Sequence, residues 1–278
     1  MNVINKDEAW KILYNRLEQE NLIPEELAYR IRFRNPVTGI LFPAAAILLL
    51  CILIGTGIFM LSDQQKNNLL SKTNNDPGTT LVTTLEDGST VYLAESTSVY
   101  YPNLFPEDER RVKIEGDALF DVSKEPERPF LVETEHVLVK VLGTTFRIHT
   151  NKGEFPFELS VKHGLVEVTK KLNGKSILIS AGETVSLEGS NLVKKDTQGE
   201  FSQFTSKIKF KDEPLENILK VIKENSGTNI ILESENLKNP VLTVTFKNQS
   251  VDSMIKVICT ALDLSYTEKS DGIHIYKP

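Results

Sequence analysis

The hydropathy pattern is dominated by one uninterrupted apolar run near the start of the chain. Residues 37–61 hold 25 positions without a charged side chain. Since a helix rises about 1.5 Å per residue, this run is long enough to cross a hydrocarbon core of roughly 30 Å. It is too long and starts too late for a cleaved secretory signal. The pattern therefore predicts a single-pass membrane protein, with a tail at 1–36 and a transmembrane helix at 37–61.

Within the tail, apolar side chains recur at the spacing of one helix face. The positions are i, i+3, i+4 and i+7, occupied by Trp10, Leu13, Tyr14 and Leu17. A tail of this size cannot bury the stripe in a core of its own, so something else must cover it. One candidate is a partner protein that receives the helix in a groove. The other is the inner membrane surface, which the nearby Lys11 and Arg16 would favour.

Beyond the apolar run, the residue composition and hydrophobic pattern of the chain change twice. Residues 62–78 are polar and end in Pro77-Gly78, which predicts a linker. Residues 79–190 consist of short β-branched and aromatic runs broken by Asp-Gly and Asn-Gly turns. This region is predicted to be an exported all-β domain, a sandwich or a β-roll of short strands.

The last segment, 201–278, contains an internal repeat with an offset of 36 residues. The stretch "FKDEPLENILKVIKENSGTNIIL" from Phe210 aligns with "FKNQSVDSMIKVICTALDLSYTE" from Phe246. Both copies keep helical spacing in their apolar positions, which are Leu215, Ile218, Leu219 and Ile222 in the first and Val251, Met254, Ile255 and Ile258 in the second. The repeat predicts a small α+β domain of two βαβ-like halves, with both helices packed on one sheet.

The charges flanking the apolar run predict its orientation. Arg30, Arg32 and Arg34 precede it, whereas Lys66 and Lys72 beyond it are offset by acidic residues. The positive-inside rule therefore places the N-terminus in the cytoplasm, the span in the inner membrane and the C-terminal 217 residues in the periplasm. The net charge of −6 lies outside the balanced tail, so no basic patch favours direct contact with nucleic acid.

Candidate catalytic chemistry is weak throughout the sequence. The segment "TKKLNGKS" lacks the first glycine of a phosphate-binding loop and reads as a hairpin turn between strands. Strand alternation would place Glu133 and Glu135 on one face and His136 on the other, against a metal site. Cys51 and Cys259 are too far apart along this topology to pair. We expect no catalytic residues, no metal, no cofactor and no enzymatic activity.

The β region carries an ordered series of motifs. They are Asp87-Gly88-Ser89 with Val91 and Leu93, Tyr101-Pro102, the run Arg111 to Val122, Pro129-Phe130 with Val132, and Gly143-Thr144 with Phe146. In this order the motifs resemble the FecR-like family of transmembrane sigma regulators, or anti-sigma factors. Glu86, Ile114 and Asp117 depart from the family pattern without disturbing its strands and turns. The resemblance covers about 79–278, and its end is similar to the C-terminal domain of such regulators.

This resemblance implies a signalling relay. The periplasmic part would sense the signalling domain of a TonB-dependent outer-membrane receptor, and the tail would act on an extracytoplasmic-function sigma factor. The sigma-binding residues would then be Trp10, Leu13, Tyr14 and Leu17. The tail is shorter than is common in the family, which leaves open whether it inhibits the sigma factor, activates it or binds it at all. The alternative is a membrane-anchored periplasmic binding module without a sigma partner.

Overall fold

The computed structural model describes residues 6–20, 69–150, 156–196, 200–233, 237 and 240–278. The predicted transmembrane helix at 37–61 lies outside these residues. Among the residues that are described, no helix combines the length and the apolar character needed to cross a membrane. The chain divides into two compact units, 1–67 and 68–278. In the first, helix α1 spans Lys6–Gln19.

The second unit is built mainly from two large sheets. In spatial order, the seven-stranded sheet contains β1 (Leu69–Asn74), β4 (Thr97–Pro102), β5 (Arg110–Glu115), β7 (Phe130–Glu133), β8 (Val137–Val141), β11 (Leu165–Lys170) and β12 (Ser176–Ser180). The nine-stranded sheet contains β14 (Asn191–Lys195), β13 (Thr184–Glu188), β10 (Glu158–His163), β9 (Thr145–His149), β6 (Asp117–Asp121), β3 (Thr90–Leu93), β2 (Thr80–Thr84), β15 (Lys207–Pro214) and β17 (Val241–Lys247).

The two large sheets enclose one hydrophobic core between them. Alternate residues of both sheets point into it, and among the largest are Phe120, Phe130 and Phe146. The Phe120 and Phe146 rings stack at 5.3 Å between centroids, and Phe130 meets Phe120 edge-on at 6.3 Å. The predicted all-β region is confirmed, and of the two expected forms it is the sandwich.

A second core lies on the other face of the nine-stranded sheet. There Val82, Tyr92 and Leu119 pack with helix α2 (Leu215–Ser226) and helix α3 (Val251–Ala261). A small third sheet completes this core, with β16 (Ile230–Leu232), β19 (Gly272–Tyr276) and β18 (Ser265–Lys269) in that order. Strands β2, β3 and β6 are thus covered on both faces, which is why β3 is buried at all four positions.

The repeat is confirmed in its elements and corrected in its pairing. Helices α2 and α3 begin 36 residues apart, and Phe210 and Phe246 meet edge-on at 6.3 Å on the paired strands β15 and β17. The halves do not share one sheet, however. Their first strands join the nine-stranded sheet, while β16, β18 and β19 form the small sheet.

The predicted linker at 62–78 also needs correction over part of its length. Residues Leu69–Asn74 form strand β1, which pairs with β4 at the edge of the seven-stranded sheet. Asn74 is buried, and its amide nitrogen donates to the carbonyl oxygens of Thr79 (2.5 Å) and Leu93 (2.9 Å). An edge strand that is mostly exposed needs no hydrophobic alternation, so its polar sequence resembles a spacer.

Candidate functional site

Helix α1 presents the apolar stripe that the sequence predicts. Trp10 is 64% exposed and Leu13 is 48% exposed, while Tyr14 and Leu17 are half-buried. Ile12, on the opposite side of the helix, is 62% exposed as well. The structure thus brings the four predicted residues onto one helix face with the large indole at its N-terminal end. Such a face suits a hydrophobic groove, in which a Trp contributes a large contact area.

The family motifs of the β region converge on a buried arginine. The Arg110 side chain is completely buried, and its Nη1 lies 2.8 Å from Asp87 Oδ2 and donates to the Ser123 carbonyl at 2.9 Å. Its Nε donates to the Arg128 carbonyl at 2.8 Å. Asp87 is held in turn by Ser89, whose backbone N–H donates to Oδ1 at 3.0 Å and whose hydroxyl donates to Oδ2 at 2.6 Å. The Asp-Gly-Ser motif is therefore a structural clamp inside the sandwich.

The buried arginine is Arg110, whereas the motif as predicted from the sequence begins at Arg111. Arg110, Val112 and Ile114 alternate inward along β5, whereas Arg111 is 42% exposed and pairs with Glu109 at 2.7 Å. Counting back by two from the apolar Val112 would have identified Arg110, because inward residues recur with period two.

Polar contacts join the C-terminal elements to the Asp-Gly-Ser turn and to strands β2 and β3. Lys220 on α2 donates to the Gly88 carbonyl, and Asn225 donates to the Tyr92 hydroxyl at 3.3 Å. Glu213 is buried and accepts from the Thr84 N–H at 3.1 Å, and its burial raises the pKa of its carboxyl. Strands β15 and β2 also pair in parallel, which adds to the contacts between the C-terminal elements and the β sandwich. These contacts therefore hold the C-terminal elements against the β sandwich.

One edge of the nine-stranded sheet is formed by β17, which among the described strands pairs only with β15. The outward side chains beside this edge form a surface that we term the lysine face: Lys207, Lys209, Lys211 and Lys247. Lys207 lies directly opposite Lys247, a like-charge pair that disfavours the sheet by itself. Asp76 offsets part of this charge through its contact with Lys209 at 2.5 Å. The edge thus offers open backbone groups beside a positive surface.

A polar cleft of about 960 Å³ opens on the seven-stranded side of the sandwich. Glu133, Glu135 and His136 all line it, because the last two lie in the turn after β7, where strand alternation does not apply. Lys171 Nζ lies 2.6 Å from Glu133 Oε1 and lowers the pKa of that carboxyl. Among the described residues, no group of three or more potential ligands is arranged to hold a metal.

The chain is similar to proteins of one known family. A model of the FecR protein family matches residues 72–167, and a model of the FecR C-terminal region matches 207–275. A crystal structure of a candidate anti-sigma factor from Parabacteroides distasonis at 2.50 Å resolution is 25% identical, with a TM-score of 0.46. Another, from the same organism at 1.65 Å, is 24% identical with the same score. They cover 76% and 75% of this chain, and the match takes in 99% of each.

No curated protein matches the chain at a significant level.

Proposed function

Because the chain belongs to the FecR family, whose two models together match more than half of its residues, we propose that it is a transmembrane signal transducer of the anti-sigma type. Family membership supports anti-sigma regulation. The finer proposal is that α1 binds an extracytoplasmic-function sigma factor in the cytoplasm. The unit 68–278 binds the signalling domain of a TonB-dependent outer-membrane receptor in the periplasm, and residues 37–61 cross the inner membrane between them.

The observation that carries the cytoplasmic half of the proposal is the exposed face of α1. Trp10 and Leu13 leave large apolar surfaces uncovered on a helix of 14 residues. Burying a Leu or a larger apolar side chain in a partner's groove contributes on the order of 1.5–3 kcal/mol. Three such side chains together contribute about 5–9 kcal/mol, which exceeds only the lower estimates of the cost of association, about 4 kcal/mol.

The test is capture of sigma factors by the full-length chain, purified in detergent from cells that express it. The variant Trp10→Ala/Leu13→Ala/Leu17→Ala removes the stripe, and the control Glu8→Ala/Asn15→Ala/Gln19→Ala changes three positions on the opposite face. Alanine is a strong helix former, so both variants keep the helix. We expect one sigma factor to be captured by the wild type and the control and lost by the stripe variant. Capture that is equal in all three would contradict the proposal.

On the periplasmic side, the β17 edge and the lysine face support docking of an acidic, extended segment of the receptor's signalling domain. An added strand would satisfy the open backbone groups of β17, and its carboxylates would relieve the repulsion between Lys207 and Lys247. The Asn248 N–H donates to the Ser206 carbonyl. In an antiparallel ladder, every second residue of a strand bonds to the same neighbouring strand. Because Thr245 lies three residues before Asn248, its N–H points away from β15 and toward the free edge.

Strand addition can therefore be blocked at one atom. Thr245→Pro removes the outward N–H without removing a bond to β15, whereas Thr245→Val keeps it and remains β-branched. We expect Thr245→Pro to abolish binding of the purified receptor signalling domain by the full-length chain and Thr245→Val to preserve it. Binding that survives Thr245→Pro with unchanged affinity would exclude this edge.

The polar cleft favours a second candidate function, an anchored binding module for a polar envelope ligand such as a glycan. It is lined by both acidic and basic side chains and is large enough for a small ligand. Under this alternative, replacing residues 1–30 with an unrelated polar tail leaves the in vivo phenotype intact, while Lys171→Ala together with Glu133→Ala impairs it. The anti-sigma proposal predicts the reverse for the tail replacement.

A further inference from the structure

Strand β12 is an unprotected edge of the seven-stranded sheet. Among the strands that the structure describes it pairs only with β11, and its five residues, Ser176–Ser180, include no charge and no proline. Among the described edge strands, every other one of five or more residues carries a lysine; these are β1, β14, β17 and β18. The remaining edge, β16, is only three residues long. Edge charges and short edges prevent strand pairing between molecules, and β12 has neither protection.

The sequence of this edge is its own mirror image. Residues 176–180 read Ser-Ile-Leu-Ile-Ser, so an antiparallel copy presents the same side chains in the same order. A two-fold axis at Leu178 would set Leu178 against its equivalent and Ser176 against Ser180 of the second copy. We propose that β12 pairs with β12 of a second copy of this chain, which joins the two seven-stranded sheets into one continuous sheet with two-fold symmetry.

The hydrogen-bond pattern of β12 agrees with an axis at Leu178. The Lys170 N–H donates to the Lys175 carbonyl at 2.8 Å, and this pair fixes the alternation along the β11–β12 ladder. Ile177 and Ile179 then bond to β11, whereas the backbone groups of Ser176, Leu178 and Ser180 face outward. At a two-fold axis, Leu178 exchanges both of its bonds with its equivalent. The Ser180 N–H already donates to Glu183 Oε2 at 2.6 Å, which ends the open ladder there.

The surface beside the edge fits the same partner. Leu178 is 56% exposed and Leu165 is 52% exposed, and they are diagonal neighbours because Leu165 pairs with Ser180. Both point away from the core, so symmetric pairing unites the leucines of two copies into one apolar stripe.

Site-specific cross-linking of the full-length chain in its membrane tests both the partner and the register. Leu178→Cys, in a Cys51→Ser background that keeps the buried Cys259, is treated with copper phenanthroline. A hydrogen-bonded antiparallel pair sets its Cα atoms about 5.5 Å apart, within the range of a disulfide. We expect a covalent homodimer. Leu172→Cys, at an 81% exposed position in the neighbouring turn, is the matched control and should remain monomeric.

Mixing variants resolves the register further. Chains with Ser176→Cys should cross-link to chains with Ser180→Cys and not to themselves. Independently, Leu178→Lys places two like charges at the axis and should convert the purified chain from dimer to monomer in analytical ultracentrifugation, while Leu172→Lys leaves the dimer. The proposal is overturned if Leu178→Cys yields no homodimer or cross-links only to a different protein. A yield no greater than that of Leu172→Cys overturns it as well.

Discussion

Replacing Arg110 with methionine tests whether the motif cluster acts as a structural clamp. Methionine keeps a long side chain but removes the guanidinium from a site with no exposed side-chain surface. Among the described residues, Asp87 then keeps only its bonds from Ser89, and the carbonyls of Ser123 and Arg128 lose the Arg110 donor. Breaking one side of a buried ion pair costs about 3–5 kcal/mol. A protein of this size loses roughly 2–4 °C in Tm per kcal/mol, so Arg110→Met should lower Tm by about 6–20 °C.

Arg111→Met is the matched control, because it makes the same chemical change one residue along the strand. Arg111 is 42% exposed and its ion pair with Glu109 is screened by solvent, so its loss should cost about 0–1 kcal/mol. Arg110→Lys should fall between the two, because a lysine keeps the charge without the planar fork. Melting is followed by far-UV circular dichroism of the purified chain. A loss for Arg110→Met no larger than that for Arg111→Met would refute the clamp.

Two further predictions concern the buried carboxyl of Glu213 and the backbone at Gly116. Burial raises the pKa of Glu213 above its ordinary 4.5, so this carboxyl stabilises the fold at low pH and that contribution is lost as the pH rises. Glu213→Gln should therefore gain Tm over the wild type increasingly above pH 4.5, and a pH-independent difference would contradict this. Gly116 has φ +116°, and a Cβ there would lie 2.8 Å from the Thr97 Cα. Gly116→Ala should therefore cost at least about 1–3 kcal/mol in denaturant unfolding, and more than Gly174→Ala, where the space is open.

Local periodicity was enough to predict the two C-terminal helices and the β character of residues 79–190, but not strand β1 or the pairing of the strands. The offset of 36 residues located α2 and α3, because each helix buries its own i, i+3, i+4, i+7 stripe in whichever layer it joins. Strand β15 pairs with β2 across a separation of more than 120 residues, and no local pattern encodes that contact. The apolar Val91, Tyr92 and Leu93 in succession are the one local sign that β3 is covered on both faces.

The candidate binding surfaces could also be predicted only in part. The apolar stripe of α1 is a helical pattern and could be predicted in full. The partner that covers it is a second molecule, so its identity stays a prediction. The cleft could not be predicted, because it gathers Ser96, Lys113, Glu133 and Lys171 from separate strands and turns. Free edges such as β12 and β17 depend on the strand order of whole sheets, which only the folded structure supplies.

The most direct test of the signalling account is photo-cross-linking at α1 in living cells. A photo-reactive residue replaces Leu13 on the stripe or Asn15 on the opposite face of the full-length chain, and cross-linked proteins are identified by mass spectrometry. The account predicts an adduct with a sigma factor from position 13 and none from position 15. Adducts with lipid alone, or equal adducts from both positions, would contradict a sigma factor as the occupant of this helix face.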